Sequence, residues 1–135
     1  MSLLSPNAPC PCGSVLKYKK CCRPYHRGKL APDALTLMKS RYSAYAAGEV
    51  EYLIATTHPD HPEMQKDRKI WEKEILDFCR MERFEGLEIL EWEPGEEEAF
   101  VTFIAHLGSG SMRERSRFLR RENRWLYHSG HFPDS

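Results

Sequence analysis

The run Ala99-Phe100-Val101-Thr102-Phe103-Ile104-Ala105-His106-Leu107 is followed by Gly108-Ser109-Gly110 and then by Met112-Arg113-Glu114-Arg115-Ser116-Arg117-Phe118. Successive side chains on an extended strand point to opposite faces, so a period of two marks β structure. In the first segment Ala99, Val101, Phe103, Ala105 and Leu107 share one face, and the other face is also largely apolar. The glycine-rich turn reverses the chain. In the second segment Arg113, Arg115 and Arg117 share one face, with Met112, Glu114, Ser116 and Phe118 on the other. Upstream, Leu87-Ile89 with Trp92 leads into the turn Pro94-Gly95. Downstream, a turn near Glu122-Asn123 leads into Trp125-Leu126-Tyr127-His128. The pattern predicts a four-stranded antiparallel meander.

Towards the N-terminus the apolar period lengthens. Pro32 and Asp33 start, and Gly48 stops, a helix of about sixteen residues, with Leu35, Met38, Tyr42 and Tyr45 on its buried face. A second helix over Glu49–Thr57 ends at the His58-Pro59 break, and His58-Pro59-Asp60-His61-Pro62 reads as a loop. A third helix over Lys66–Arg83 buries Trp71, Ile75 and Phe78, with Cys79 as a small core hydrophobe. Helices followed by an antiparallel sheet define an α+β fold.

The chain has 135 residues, of which 41% are hydrophobic and 30% charged. That composition excludes wholesale disorder and supports one domain with a small appendage. No apolar run reaches the ~18 residues of a membrane span, and residues 1–9 lack a charged start and an apolar segment, so a cytoplasmic protein without a targeting segment is expected. Net charge is zero, but residues 1–32 hold six Lys/Arg and no acid: Lys17, Lys19, Lys20, Arg23, Arg27 and Lys29. A +6 head therefore precedes a −6 body, which suggests a separate task or an anionic partner for the head.

Cys10, Cys12, Cys21 and Cys22 lie within thirteen residues, while Cys79 stands apart. Clustered cysteines in a cytosolic chain point to a metal rather than to disulfides. Four thiolates with no open position are the signature of structural zinc. Cys21 and Cys22 can both ligate if the backbone turns between them, and His26 is the substitute ligand if Cys22 turns away. Unliganded core thiols and a redox role are the competing readings, the second weakened by the absence of an isolated Cys-x-x-Cys pair.

Cys10-Pro11-Cys12-Gly13-Ser14 with Lys17-Tyr18-Lys19-Lys20-Cys21-Cys22 resembles the SEC-C motif, the zinc knuckle at the carboxyl end of the translocation ATPase SecA. Leu37-Met38-Lys39-Ser40-Arg41-Tyr42-Ser43-Ala44-Tyr45, Tyr52-Leu53-Ile54, Thr57-His58-Pro59, Glu114-Arg115-Ser116-Arg117-Phe118-Leu119, Trp125, Tyr127 and Gly130 resemble the body of the bacterial YchJ family. Two departures stand out: Val15 replaces the usual glycine of the knuckle loop, and the sequence ends at Ser135 without the second knuckle of many members. The resemblance implies a SEC-C knuckle over residues 1–30 and a nuclear-transport-factor-two-like α+β cone over 31–135, in which a curved sheet wraps helices around a pocket. It also implies that the cone can form a homodimer.

Glu114 is the anomaly, since a carboxylate on an inward face is costly unless paired or protonated. Arg41 is the obvious partner. The pair is read either as a structural tie or as part of a pocket, with Glu114 as acid or base, His58 at the mouth and Tyr42 or Tyr127 hydrogen bonding; a wrong strand phase would expose Glu114 instead. Glu88, Glu91 or Glu97 are expected to neutralise the arginine row.

The residues favour a binding or adaptor module. Lys17, Lys19, Lys20 and Arg23 would contact an acidic protein or the ribosome, with Tyr18 or Tyr25 available to stack on a base. A small-molecule binder or an isomerase-, hydrolase- or dehydratase-like enzyme in the cone is the alternative. Nucleic-acid binding through the knuckle alone would be weak and salt-sensitive. The reading leans away from catalysis, because the sequence shows no nucleophile–base pair and no cofactor motif.

Overall fold

The computed structural model describes residues 3–132, so the outer ends of the two expected divisions, residues 1–2 and 133–135, lie outside the described residues. The chain passes through a 3₁₀ turn (Tyr18–Lys20), α1 (Arg23–His26), α2 (Ala34–Ala47), α3 (Val50–Ala55), a second 3₁₀ turn (Pro62–Gln65) and α4 (Arg68–Met81). Strands β1 (Phe84–Glu93), β2 (Glu98–Leu107), β3 (Gly110–Arg121) and β4 (Arg124–His131) follow. The strands form one antiparallel sheet in the order β1-β2-β3-β4. This is the α+β meander that the periodicities predict.

The Asp33 side chain accepts a hydrogen bond from the Thr36 amide at 2.7 Å and caps α2, and Gly48 ends it in the left-handed region at φ 74°. Helix ends elsewhere fall one or two residues inside the expected limits. In β3 the predicted phase holds: Glu114, Ser116 and Phe118 are buried, while Arg115 and Arg117 are half-buried and Arg113 is exposed. Register shifts at Phe84/Gly86, Ile89/Glu91 and Arg117/Phe118 mark bulges, which bend strands and increase their twist.

Two packing expectations are corrected. Phe78 is 41% exposed, because the buried stripe of α4 is Trp71, Ile75 and Cys79 and Phe78 lies at its edge, packed edge-on against Tyr45 and Phe84. The arginine row pairs with other acids than Glu88, Glu91 or Glu97: Arg115 takes Glu93 through two hydrogen bonds of 2.9 and 3.1 Å, and Arg117 takes Glu98. Both arginines reach diagonally: Arg115 stands across from Thr102 and Glu91 but takes Glu93, and Arg117 stands across from Phe100 but takes Glu98 two residues before it.

Helix α2 is buried on nearly every side, not along one stripe. Ala34, Leu37, Met38 and Tyr42 pack on the sheet, Ala44 meets α3 and α4, and Ala47 joins the cysteine cluster. The small polar residues Ser40 and Ser43 suit this crowded axis, since each finds a hydrogen-bond partner.

Candidate metal centre and cone cavity

The sulfurs of Cys10, Cys12, Cys21 and Cys22 all lie within 4.8 Å of one another. A tetrahedron of metal–sulfur bonds near 2.3 Å has edges of about 3.8 Å, and the Cys12–Cys21 separation of 3.6 Å matches it. Local turns build this geometry. Cys10 N–H donates to Leu16 O and Gly13 N–H donates to Cys10 O, closing the loop that carries the first two sulfurs. The backbone turns at Cys21 (φ −125°, ψ −92°) between the 3₁₀ turn and α1, so adjacent Cys21 and Cys22 reach the same point. The four cysteines can therefore hold a metal ion, and the arrangement is a closed one with no ligand position left over. Hydroxyls support two sulfurs, Ser14 Oγ at 2.9 Å from Cys21 and Ser43 Oγ at 3.4 Å from Cys10.

His26 takes no part in this cluster. Its Nε2 donates to Ser40 O at 2.7 Å, which leaves Nδ1 to accept from the Tyr18 hydroxyl at 2.6 Å. The ring packs against Tyr52 and Tyr18, and burial lowers its pKa, so it is a neutral strut between knuckle and α2. Tyr18 is thereby also corrected: it is fully buried and cannot stack on a base, whereas Tyr25 is half-buried. Lys17, Lys19 and Lys20 are exposed and Arg23 is half-buried. None of the six head cations enters an ion pair among the described residues.

Between helices and sheet lies a cavity of about 470 Å³. Trp71, Ile75, Phe78, Phe103 and Phe118 give it an apolar lining; Arg41, Glu114 and Tyr127 are polar groups on it, with Thr57, Ser116, His61 and the charged Glu63, Lys66 and Glu74 also on the lining. Glu114 is 7% exposed and Arg41 9%, yet no ion pair joins them. The Arg41 Nη1 group donates to Leu53 O at 2.9 Å and to the hydroxyls of Thr56 and Thr57, because the end of α3 presents these acceptors first. Its guanidinium lies over the Tyr127 ring, 4.7 Å from the centroid. Glu114 Oε2 accepts from Ser116 Oγ and from Tyr127 OH at 3.0 Å. Burial and the adjacent carboxylate push the Tyr127 pKa well up, so its phenol remains a donor. Oε1 of Glu114 has no hydrogen-bond partner among the described residues, and the residue lines the cavity.

Two other expected pocket residues play different parts. Tyr42 lines the cavity, but its hydroxyl donates to Gly86 O at 2.8 Å and accepts from Gly86 N–H at 3.0 Å, pinning α2 to the first bulge of β1. His58 is buried beside the cavity instead of at its mouth. Its amide donates to Tyr127 O, its Nδ1 accepts from the Asp60 amide, and its ring packs on His128. The ligand atoms of His58, Asp60 and His128 fall within 4.8 Å of one another, a juxtaposition that their spacing in sequence hides. The histidine of the cavity is His61, three residues on, which packs against Tyr127 and whose pKa is lowered by burial. At the rim, Lys66 bridges Glu63 at 2.7 Å and Glu74 at 2.9 Å, tying the second 3₁₀ turn to α4. The close contact that sequence reasoning missed is at Gly130: a Cβ there would overlap the Glu114 carboxylate and lie 2.6 Å from Tyr127 OH.

Comparison with known proteins agrees with this architecture. Residues 33–130 match the family described as "YchJ, middle NTF2-like domain", and residues 7–24 match the SEC-C motif. The chain belongs to the YchJ family. A UPF0225 protein of Pectobacterium carotovorum is 43% identical over 90% of this chain and 81% of its own length. One from Serratia proteamaculans is 42% identical over 92% and 83%. The solution structure of a SEC-C motif containing protein from Rhodopseudomonas palustris superposes with a TM-score of 0.78 at 30% identity, covering 93% of this chain and 98% of that one. A crystal structure of a SEC-C motif containing protein from Psychrobacter arcticus gives 0.78 at 26%, covering 96% and 85%. Membership in the YchJ family thus rests on both halves, the knuckle and the cone. No helix among the described residues is long and apolar enough to cross a membrane.

Proposed function

We propose that this YchJ-family protein binds a small molecule in its cone, with the four-cysteine knuckle holding structural zinc. The observation that carries the first part is the buried Glu114: one carboxylate oxygen is held by Ser116 and Tyr127, and the other is unpaired beside an open volume of about 470 Å³. Among the described residues no buried side-chain nitrogen or oxygen is left without a partner, so Oε1 is not walled in but opens onto the cavity, where a ligand can reach it. Cavities of this size with an apolar lining and a few convergent polar groups are the usual form of ligand sites. The all-sulfur donor set with no open position supports zinc in a structural role. The test is a thermal-shift screen of a metabolite library. Hits should stabilise the wild-type protein and lose their effect in Ala105→Phe, which places a ring in the cavity. Hits that stabilise both proteins equally would refute the site.

A second reading keeps the knuckle as a docking surface for an acidic protein or ribosomal RNA. It is favoured by the exposed Lys17, Lys19 and Lys20 and the half-buried Arg23, none of which enters an ion pair among the described residues. Reversing the three lysines to glutamate should abolish capture by the ribosome or by an acidic partner, and unchanged capture would dispose of it.

A further inference from the structure

Resting on the cavity reading above, we infer that the ligand is an uncharged small molecule with a carboxamide-type head and an apolar, ring-sized body. The floor of the cavity holds one buried cation and one buried anion that do not neutralise each other directly. Arg41 and Glu114 are each more than nine-tenths buried and lie further apart than an ion pair. Tyr127 stands between them, with Arg41 over its ring and Glu114 at its hydroxyl. Each charge keeps capacity for a ligand. The hydrogen bonds of Arg41 to Leu53, Thr56 and Thr57 all leave from Nη1, while the guanidinium lies over the Tyr127 ring, interacts with the Tyr45 side chain and lines the cavity. Glu114 keeps Oε1.

A ligand that completes this floor must offer an acceptor to the arginine and a donor to the carboxylate. A carboxylate ligand would satisfy Arg41 but set a second anion against Glu114. An ammonium ligand would satisfy Glu114 and leave a second cation against Arg41. Either sets a like charge against a nine-tenths buried group, which is unfavourable. A carboxamide carries carbonyl oxygen and N–H on neighbouring atoms with no net charge, so it pairs with both. His61 does not upset this balance, since its lowered pKa keeps it neutral at ordinary pH. The body of the ligand meets Trp71, Ile75, Phe103 and Phe118, which favour an aromatic or branched apolar group. A volume of about 470 Å³ is several times that of a cavity that holds benzene, ~150 Å³, so a ring together with its amide head is accommodated.

The experiment titrates the metal-loaded full chain at neutral pH with three near-isosteric probes: phenylacetamide, phenylacetate and 2-phenylethylammonium. Wild type should bind phenylacetamide at least about tenfold more tightly than either charged probe. Glu114→Gln keeps an oxygen for Ser116 and Tyr127 and removes the negative charge, so it should invert the order and favour phenylacetate. Wild type preferring a charged probe, an order unchanged in Glu114→Gln, or no binding of any of the three would each overturn the ligand class. The cavity reading has its own arm. Any probe that binds wild type and not Ala105→Phe supports that reading whatever the order of affinities. Probes that bind both proteins alike refute the reading and the class with it.

Discussion

Val15 sits in the left-handed backbone region at φ 64° with its side chain 93% exposed. A β-branched residue pays about 1–2 kcal/mol there and regains nothing through burial. It occupies the loop position where the SEC-C resemblance leads to the expectation of glycine, so Val15→Gly should stabilise the folded protein by about 1 kcal/mol after the extra chain entropy of glycine is counted. Thermal unfolding of the metal-loaded protein reads this directly, and a lower melting temperature would contradict it. Gly130 makes the opposite case. It is exposed, where substitutions are ordinarily neutral within about 0.5 kcal/mol, yet a Cβ would drive into the Glu114–Tyr127 pair. Gly130→Ala should cost about 1–3 kcal/mol and weaken any cavity ligand, which denaturant melts and a probe titration would show. The inward face of Glu114 was legible in sequence because strand alternation fixes it. Its partner was not, since which acceptor claims a buried arginine depends on where the end of α3 lands. His58 and His61 were likewise interchangeable in a proline-rich loop with no period to orient them.

Among the elements, α2 was the most legible, since Asp33 and Gly48 act locally through a cap and a left-handed stop. What α2 touches was less so. Its serines and alanines carry no strong apolar period, because three separate clusters close on it. Beside the ring contacts of Tyr42 and Tyr45 with Phe84, α2 is tied to β1 by the Tyr42 hydroxyl, which both donates to and accepts from the Gly86 peptide at the bulge. Tyr42→Phe keeps the ring and removes both bonds, leaving a partly buried peptide without its partner. We expect a loss of about 1–3 kcal/mol, seen as a lower denaturant midpoint. A loss below the ~0.5 kcal/mol of an ordinary surface change would show that water replaces the hydroxyl. The cross-strand acids were misassigned for a related reason. Alternation says which residues share a face, but not that Arg115 and Arg117 reach diagonally to Glu93 and Glu98 instead of straight across.

At the scale of the whole molecule, the question is whether knuckle and cone unfold together. The sequence separates them by charge and by cysteine content, but the structure joins them. Cys10, Cys12, Tyr18 and Cys22 share a core with Ala47 of α2 and are packed by Leu87 of β1, and the His26 ring bonds to Ser40 O and packs at a tilt against Tyr52. Removing the metal should therefore weaken the cone as well. Binding to the folded state alone adds to its stability, so a chelator should lower the transition of the whole chain. Acid should act in the same direction. Burial holds the His26 pKa below its ordinary 6.5, so below that value the unfolded chain takes up a proton that the folded one refuses. The His26 contribution is then complete above the ordinary value and is lost as the pH falls towards the folded one. Tryptophan fluorescence reports the cone, through Trp71 on α4 and Trp125 on β4, and cobalt-thiolate absorbance reports the knuckle. The two melting curves should coincide and should move together when chelator is added or the pH is lowered. Cys79 offers an independent check: buried on α4 with its thiol pushed up to about 11 by burial, it should resist alkylation until that shared transition. A tryptophan transition indifferent to chelator, with the cobalt signal already gone, would mean that the knuckle is an appendage and that His26 and Ala47 hold nothing in common with the cone.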